Sequence, residues 1–499
     1  MQENTNKALI INSAILYVRL FFMTICGLLT TRFALKALGI NDFGLFSLLG
    51  GIITFIAIFN TVMMSTSNRF ISMAIGRNDI NEINAQFNIS LIIHTIIAAA
   101  TLLIALPIGD IYIHYYLNYS GSIDTAINVF HFTVIGSIIS FIGVPYNGLL
   151  IAKENFWIST ITDIITHIFK LGVTILLLFY FKNKLQIYAL TQGLITAIPT
   201  FIFFLYCKKI YPRYVKFRLV YEKEKYKEVL SFSGWIAYGA FATIGKSQGA
   251  QILVNSFFNT IMNTALGLAN TVNGLLNTFS NSISQPIVPQ ITKSYAAKDK
   301  NRCDELLIIS TKYTFLITFF ISTPFLTNGE WIFSLWLGEV PPFVLVFTKL
   351  IIIDTLITSL NSGISSLIFA HGNIKLYQIS LNTLRLLAIV AAYIVLRMGC
   401  HAYSLFWTYI VFSLIIFFVG QMVLKKTLNY DNRILWQKSY IPSLSIIILF
   451  IPFLFLKFIT IPILSIIVYQ TILTILITSF GLSKSERKFI FRKLHLRND

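Results

Sequence analysis

The sequence predicts an all-α, polytopic membrane protein of about fourteen transmembrane helices, arranged as two parallel six-helix repeats with an added helical pair. Three observations carry that prediction. Of 499 residues, 56% are apolar and 12% charged, with a mean hydropathy of +0.74; an average soluble domain carries about 25% charged residues, enough to cover its surface. Apolar stretches of about 20 residues, the length that crosses a bilayer, follow one another with short polar turns between them. Loop motifs also recur at an offset near 220 residues. A soluble protein lacks the polar surface for this composition, and a disordered chain could not leave so much apolar area in water.

The first six spans lie near 9–31, 43–66, 86–108, 125–151, 156–181 and 185–207. Six more lie near 229–254, 262–288, 306–326, 343–369, 376–396 and 401–424, and a last pair near 439–457 and 459–480. The first is too long for a cleavable signal, and no small-residue cleavage site follows it. With the N-terminus placed in the cytoplasm, 27 of the 39 Lys and Arg fall in cytoplasmic loops and tails. Six fall outside (Arg32, Lys36, Lys182, Lys184, Arg397, Lys457) and six inside spans. This bias predicts an even number of spans with both termini cytoplasmic. It also explains the net charge of +19 by contact with an anionic leaflet. Nucleic-acid binding is therefore not implied.

The repeat is read from two matches. At an offset of 221, Ile75–Asp79 falls on Ala296–Lys300, and at 218, Leu150–Asn155 falls on Ile368–Asn373. The implied divisions are an N-terminal lobe with its cytoplasmic linker over 1–220, a second lobe over 221–427, and two helices with a basic tail over 428–499. Six spans is an even number, so both repeats share one orientation, with the substrate site between them. Within the linker, Tyr221–Glu228 fits either a short interfacial helix or a solvated charged loop.

Ionisable groups inside spans cost about 2.5–3.5 kcal/mol each on insertion scales, so they mark interiors and wet cavities. The cations are Arg19, Lys170, Lys246, Lys312, Lys349 and Arg385, against the acids Asp163 and Asp354. In the fifth span, Thr160, Asp163, His167, Lys170 and Thr174 make one narrow polar stripe. It faces a cavity or glues two helices, with Asp163 and Lys170 paired through His167. At the 218 offset, His167 falls on Arg385. Arg19 and Lys246 lie in repeat-equivalent spans and are expected to line the same lumen. Lys349 and Asp354 are five apart and share a face poorly. Lys312 lies near a span end, where a lysine can snorkel. His94 and His131 suit a hydrogen-bonded core as well as a ligand set. A lumen with this cationic excess suits an anionic solute, phosphate or pyrophosphate above all.

Other chemistries find no support. Gly245-Lys246-Ser247 imitates the end of a P-loop, but the required earlier glycine is Ala240 and the segment lies in a membrane helix. No nucleotide site is expected. Cys26, Cys207, Cys303 and Cys400 are scattered, predicting free thiols rather than a metal site or disulfide framework. No catalytic motif stands in a loop of usable size. A non-enzymatic protein without a cofactor is expected.

Asn12-Ser13 and Thr31-Arg32-Phe33-Ala34-Leu35-Lys36-Ala37-Leu38-Gly39-Ile40-Asn41-Asp42-Phe43-Gly44-Leu45-Phe46 resemble the Wzx-type O-antigen and capsular oligosaccharide flippases. So does Pro145-Tyr146-Asn147-Gly148 leading to Ala152-Lys153-Glu154-Asn155-Phe156. These belong to the multidrug/oligosaccharidyl-lipid/polysaccharide exporter (MOP) superfamily, whose lipid II flippases and drug/cation antiporters are the neighbouring alternatives. A polysaccharide polymerase is the remaining one. The resemblance implies a V-shaped pair of six-helix lobes around a cationic lumen. It implies passage of undecaprenyl-pyrophosphate-linked oligosaccharide for O-antigen (lipopolysaccharide) or capsule synthesis, with proton or sodium coupling. It implies membrane lipids, a polysaccharide polymerase and a chain-length regulator as partners. By position, Arg19, Lys170, Lys246 and Arg385 would hold substrate, Asp163 and His167 would couple the ion, and Arg32, Lys349 and Asp354 would contribute less.

Overall fold

The structure, a computed structural model, describes the backbone of residues 2–56, 62, 66–67, 70–71, 74–75, 79–153, 155–455, 461–483 and 486–487. Side chains are described from Phe21 onward, with interruptions, the widest at 55–61 and 454–460. Among the described residues there is no strand. Eleven helices among the described residues are long and apolar enough to span a membrane.

The order is α1 (Gln2–Ile56), α2 (Ile80–Tyr115), α3 (Ile123–Ala152), α4 (Phe156–Phe179), α5 (Lys184–Ile210) and the single turn α6 (Pro212–Val215). Then come α7 (Lys223–Phe257), α8 (Thr260–Ala296), α9 (Lys300–Leu337), α10 (Val344–Ser359), α11 (Ser362–His371), α12 (Lys375–Arg397) and α13 (Ser404–Leu428). A short α14 (Asn432–Leu435) passes through a π turn into α15 (Ile441–Phe455), and α16 (Pro462–Leu476) ends in a second π turn. The expected second span near 43–66 and the loop Ile75–Asp79 fall partly outside the described residues.

The helices outrun their apolar cores because hydropathy registers only what lipid touches, whereas backbone hydrogen bonding continues into water. Four starts recur about 220 residues apart: Ile80 and Lys300, Ile123 and Val344, Phe156 and Lys375, Lys184 and Ser404. The caps recur too. Asp79 accepts the Asn81 and Glu82 N–H groups at the head of α2, and Asp299 accepts the Arg302 N–H at the head of α9. This is the preferred use of Asp at an N-cap.

Two local expectations are corrected. Arg32 and Lys36, expected in an external loop, are helical within α1; Arg-Phe-Ala-Leu-Lys-Ala-Leu is a run of good helix formers. The interruption falls at Gly39, with φ 81 and ψ 171, a conformation that a Cβ would strain. Lys223–Glu228 is neither loop nor separate helix but the first turns of the 35-residue α7. The span near 343–369 stands as Val344–His371, its helix interrupted between α10 and α11, where Asn361-Ser362-Gly363 supplies poor helix formers.

Two compact units result, Met1–Gly267 and Leu268–Asp499, the division falling inside α8. In the first, α3 lies between α2 and α5, and α1 packs on α4 and α7. At the α3–α5 crossing, a Cβ on Gly136 would stand 2.4 Å from the Gly193 Cα, the close backbone approach that small residues allow in membranes. In the second unit α9 is central, bearing the buried Phe315 and Phe319 against α10, α11, α15 and α16. Leu103, Phe179, Leu194, Trp407 and Ile448 are exposed, as lipid-facing apolar side chains must be.

Candidate functional site

The polar stripe of the fifth span forms as its spacing requires. On α4, Thr160 and Thr174 are buried and Asp163, His167 and Lys170 half-buried, while Ile161, Ile168, Leu176 and Phe179 are exposed on the opposite face. The stripe therefore points away from lipid. Asp163 and Lys170 interact electrostatically along it. His167 lies between them on the stripe, and its Nδ1 meets the main-chain oxygen of Asp163 at 2.8 Å. A carbonyl only accepts, so Nδ1 carries the proton and a neutral ring keeps Nε2 as an acceptor. One turn on, the Thr174 hydroxyl donates to the Lys170 carbonyl at 2.6 Å. The buried Tyr188 of α5 sets its ring edge-on to Phe46 of α1, 4.7 Å between centroids, closing the stripe's far end.

The second unit carries a counterpart. On α12, Gln378 and Asn382 are buried and Arg385 half-buried, whereas Leu387, Val390 and Ile394 are exposed on the other side. Arg385 Nη1 donates to Asn382 Oδ1 at 2.7 Å, and the Asn382 amide donates in turn to Gln378 Oε1. The pair Gln378 and Arg385 stands 218 residues after Thr160 and His167. Gln378 and Asn382 were missed in the sequence, although the spacing of 4 and 3 to Arg385 marks one helical face.

Lys246 is half-buried on α7. The same helix packs on α1, where a Cβ on Gly51 would approach Gln248 Oε1 to 2.6 Å. Arg19 belongs to α1, but its side chain lies outside the described residues. Arg32 is half-buried on α1 and Lys349 exposed on α10. Asp354 is half-buried on α10 and accepts the Ser413 hydroxyl of α13, so Lys349 and Asp354 are not brought together. Lys312 does not snorkel. It is 3% exposed, and Glu486, from beyond the last helix, takes it with both carboxylate oxygens at 2.8 and 2.7 Å. His131 is held by Asp110 at 2.9 Å. His94 Nδ1 meets the Ser90 carbonyl at 2.8 Å.

A buried amide network was also missed. Asn255 of α7 accepts from the Tyr112 hydroxyl at 3.2 Å and the Asn118 N–H at 3.1 Å, and donates to the Asn118 carbonyl at 3.2 Å. Asn263 donates to both oxygens of Gln251 at 2.8 Å, and Gln251 donates to Ser47 at 3.4 Å. Its signal is the Asn and Thr density of Asn255–Thr264, too polar for a lipid-facing turn.

Each unit thus carries one polar helix face turned away from the exposed apolar one, with a cation on it. Among the described residues, no three His, Cys, Asp or Glu side chains gather as a metal site. No protein-family profile and no curated protein sequence matches the chain. Solved structures do. A multidrug resistance MATE-family transporter of the MOP superfamily, inward-facing, superposes with a TM-score of 0.70 at 13% identity, over 83% of this chain and 99% of that one. The lipid II flippase MurJ, inward closed, gives 0.63 at 16% identity, over 92% and 97%. A MOP-superfamily transporter from Pyrococcus furiosus, described as having a binding pocket of reverse polarity, gives 0.62 at 14% identity, over 84% and 94%. The fold is that of the MOP-superfamily transporters. It is a polytopic helical membrane fold, as the composition required.

Proposed function

We propose that the chain is a flippase that moves undecaprenyl-pyrophosphate-linked oligosaccharide repeat units from the cytoplasmic to the external leaflet of a bacterial inner membrane, for O-antigen or capsule synthesis. The observation that carries this reading is the recurrence of an inward-turned cation on corresponding helices of the two repeats: Lys170 on α4 and Arg385 on α12. Lys is a compact donor to phosphate and Arg a bidentate one, so such groups hold a pyrophosphate while the glycan crosses in water. Lys246, and Arg19 by its place in the sequence, are proposed as further substrate cations. Alternating access by rocking of the repeats supplies the movement. Asp163 and His167, one turn apart beside Lys170, are the proposed proton-coupling pair, because each can change charge next to the substrate cation. The 27-to-6 distribution of Lys and Arg supports cytoplasmic termini. A polymerase and a chain-length regulator are the proposed partners downstream.

Deleting the gene should accumulate lipid-linked oligosaccharide on the cytoplasmic face and remove surface polysaccharide. Arg19→Ala or Lys246→Ala should do the same with the protein still in the membrane. Normal surface polysaccharide in both variants refutes the reading. Raised drug susceptibility with unchanged glycan would indicate a drug/cation antiporter, and single repeat units at the surface a polymerase. A second reading is lipid II transport. It is favoured by the 92% of this chain that MurJ covers, against 83% for the MATE transporter, a surplus on the scale of the added helices. It predicts lysis on depletion and rescue of cells lacking their own lipid II flippase.

A further inference from the structure

The segment joining α5 to α7 is built as a strap across the head of α2. After the single turn of α6, residues 216–222 run without helix, Lys216 and Glu222 both in extended backbone. Two asparagines of α2 hold it. The Asn84 amide faces the carbonyls of Arg213, Tyr214 and Lys216 at 3.3, 2.9 and 2.8 Å. Asn88, fully buried, donates to the Lys216 carbonyl at 3.0 Å and accepts the Arg218 N–H at 3.2 Å, as a neighbouring strand would. Val220 turns in against Phe70, Ile89, Ile93 and Val229.

Side chains alternate along an extended chain, so Phe217, Leu219 and Tyr221 share the other face. They are 63%, 53% and 84% exposed. Around them Lys208, Lys209, Arg213, Lys216, Arg218 and Lys223 are all exposed. Nearby acids do not cancel this charge. Glu82 and Glu222 are both engaged by Lys225, at 2.7 and 3.1 Å, leaving Glu224 and Glu228 at the start of α7.

Helix length gives the strap its depth. The 36 residues of α2 make about 54 Å of helix, some 24 Å more than a hydrocarbon core of about 30 Å. Shared between the ends, that leaves about 12 Å on each side, which is the rise from Ile80 to Asn88. The composition agrees: Ile89–Ile108 carries no Asp, Glu, Lys or Arg, while Asn81, Glu82, Asn84, Gln86 and Asn88 precede it. The strap therefore crosses α2 at the edge of the hydrocarbon.

We infer that the strap is a membrane-interface anchor: Phe217, Leu219 and Tyr221 enter the headgroup region, and the six surrounding cations bind anionic lipid phosphates. Charge complementarity selects this occupant, since aromatic and aliphatic side chains within a ring of lysine and arginine suit an anionic leaflet. Asn84 and Asn88 fix the strap's backbone beforehand, so docking costs little ordering.

The test places an environment-sensitive fluorophore on Phe217→Cys in a Cys400→Ser background, because Cys400 is the exposed native thiol and Cys26, Cys207 and Cys303 are buried. The full chain is reconstituted in vesicles of phosphatidylcholine alone or with phosphatidylglycerol. Lipids spin-labelled near the headgroup should quench the probe, more strongly with phosphatidylglycerol, and its emission should shift to the blue. Changing the six cations to Gln should remove the phosphatidylglycerol dependence in protein that still elutes as a single species in detergent. A probe quenched equally by aqueous iodide in both vesicles overturns the inference. So does one shielded from lipid and iodide alike, which would mean that protein covers the face.

Discussion

Both carboxylate oxygens of Glu486 bind the ammonium of Lys312, at 2.8 and 2.7 Å, in a setting where Lys312 is 3% exposed. The acid is held from its own side. The Ser483 N–H donates to it at 2.7 Å, and the Ser483 hydroxyl accepts the Glu486 N–H at 3.3 Å, a reciprocal capping box. Removing one partner of a buried pair leaves the other charge uncompensated, at a cost of about 3–5 kcal/mol. Glu486→Ala should therefore lower the thermal midpoint in detergent by several degrees. Lys312→Met with Glu486→Gln should recover most of that loss, because an apolar replacement removes the stranded charge. A double variant as unstable as the single would contradict this.

The same pair sets a pH dependence. The Lys312 ammonium and the Ser483 bonds hold the Glu486 carboxyl below its ordinary value against the opposing pull of burial. A group whose folded pKa is depressed contributes stability above its unfolded pKa and loses it as pH falls through the folded one. Thermal midpoints should thus fall on acidification below about pH 4.5, the ordinary Glu value. Part of this slope should vanish in Lys312→Met/Glu486→Gln.

Tyr440 supports the broken helix. Its hydroxyl accepts from the Gln421 amide and donates to the Leu360 carbonyl at 3.4 Å, where α10 stops. Tyr440 is fully buried, so Tyr440→Phe leaves the Gln421 donor and the Leu360 acceptor unpaired, costing about 1–3 kcal/mol. Denaturation midpoints should fall accordingly, and Tyr440→Phe with Gln421→Leu should be the milder of the two.

Backbone proximity makes two glycines intolerant. A Cβ on Gly363 would lie 2.5 Å from Thr311 Oγ1 and 2.7 Å from the Leu307 carbonyl, and one on Gly136 meets Gly193. Gly363→Val and Gly136→Val should each lose about 1–3 kcal/mol through overpacking and yield less monodisperse protein on gel filtration. Gly172→Ala, with open space at its Cβ, should behave as the native chain.

Charge on the stripes is separable from their packing. Lys170→Arg should retain surface-glycan export and Lys170→Met abolish it at equal membrane abundance. Arg385→Lys against Arg385→Met should repeat the pattern on the second unit. Export by either Met variant would assign that stripe to helix gluing alone.

Much of this was legible in the residues. The apolar stretches become helices at nearly the expected positions because, in lipid, backbone groups must bond within the segment and a helix is the way a single stretch can do so. The α4 stripe was legible for the same reason: a polar face at helical spacing can be placed only away from lipid. The α12 stripe needed no more than the same spacing rule applied to Gln378, Asn382 and Arg385.

What the chain alone determined is therefore its helical membrane character and the face on which α4 and α12 carry charge, set by periodicity and by the cost of polar groups in hydrocarbon. Tertiary structure decided which charges meet. Lys312 and Glu486 are 174 positions apart, and no local pattern joins them; they pair because α9 is enclosed by the last helices, which deliver the tail to it. Asn88 and Arg218 meet because α5 returns the linker to the head of α2. The His167 Nδ1 meets the Asp163 carbonyl, because a carbonyl one turn back on the same helix is within reach. Periodicity ranks faces, but which partner fills each face depends on packing across distant segments, and that was decided only in the folded protein.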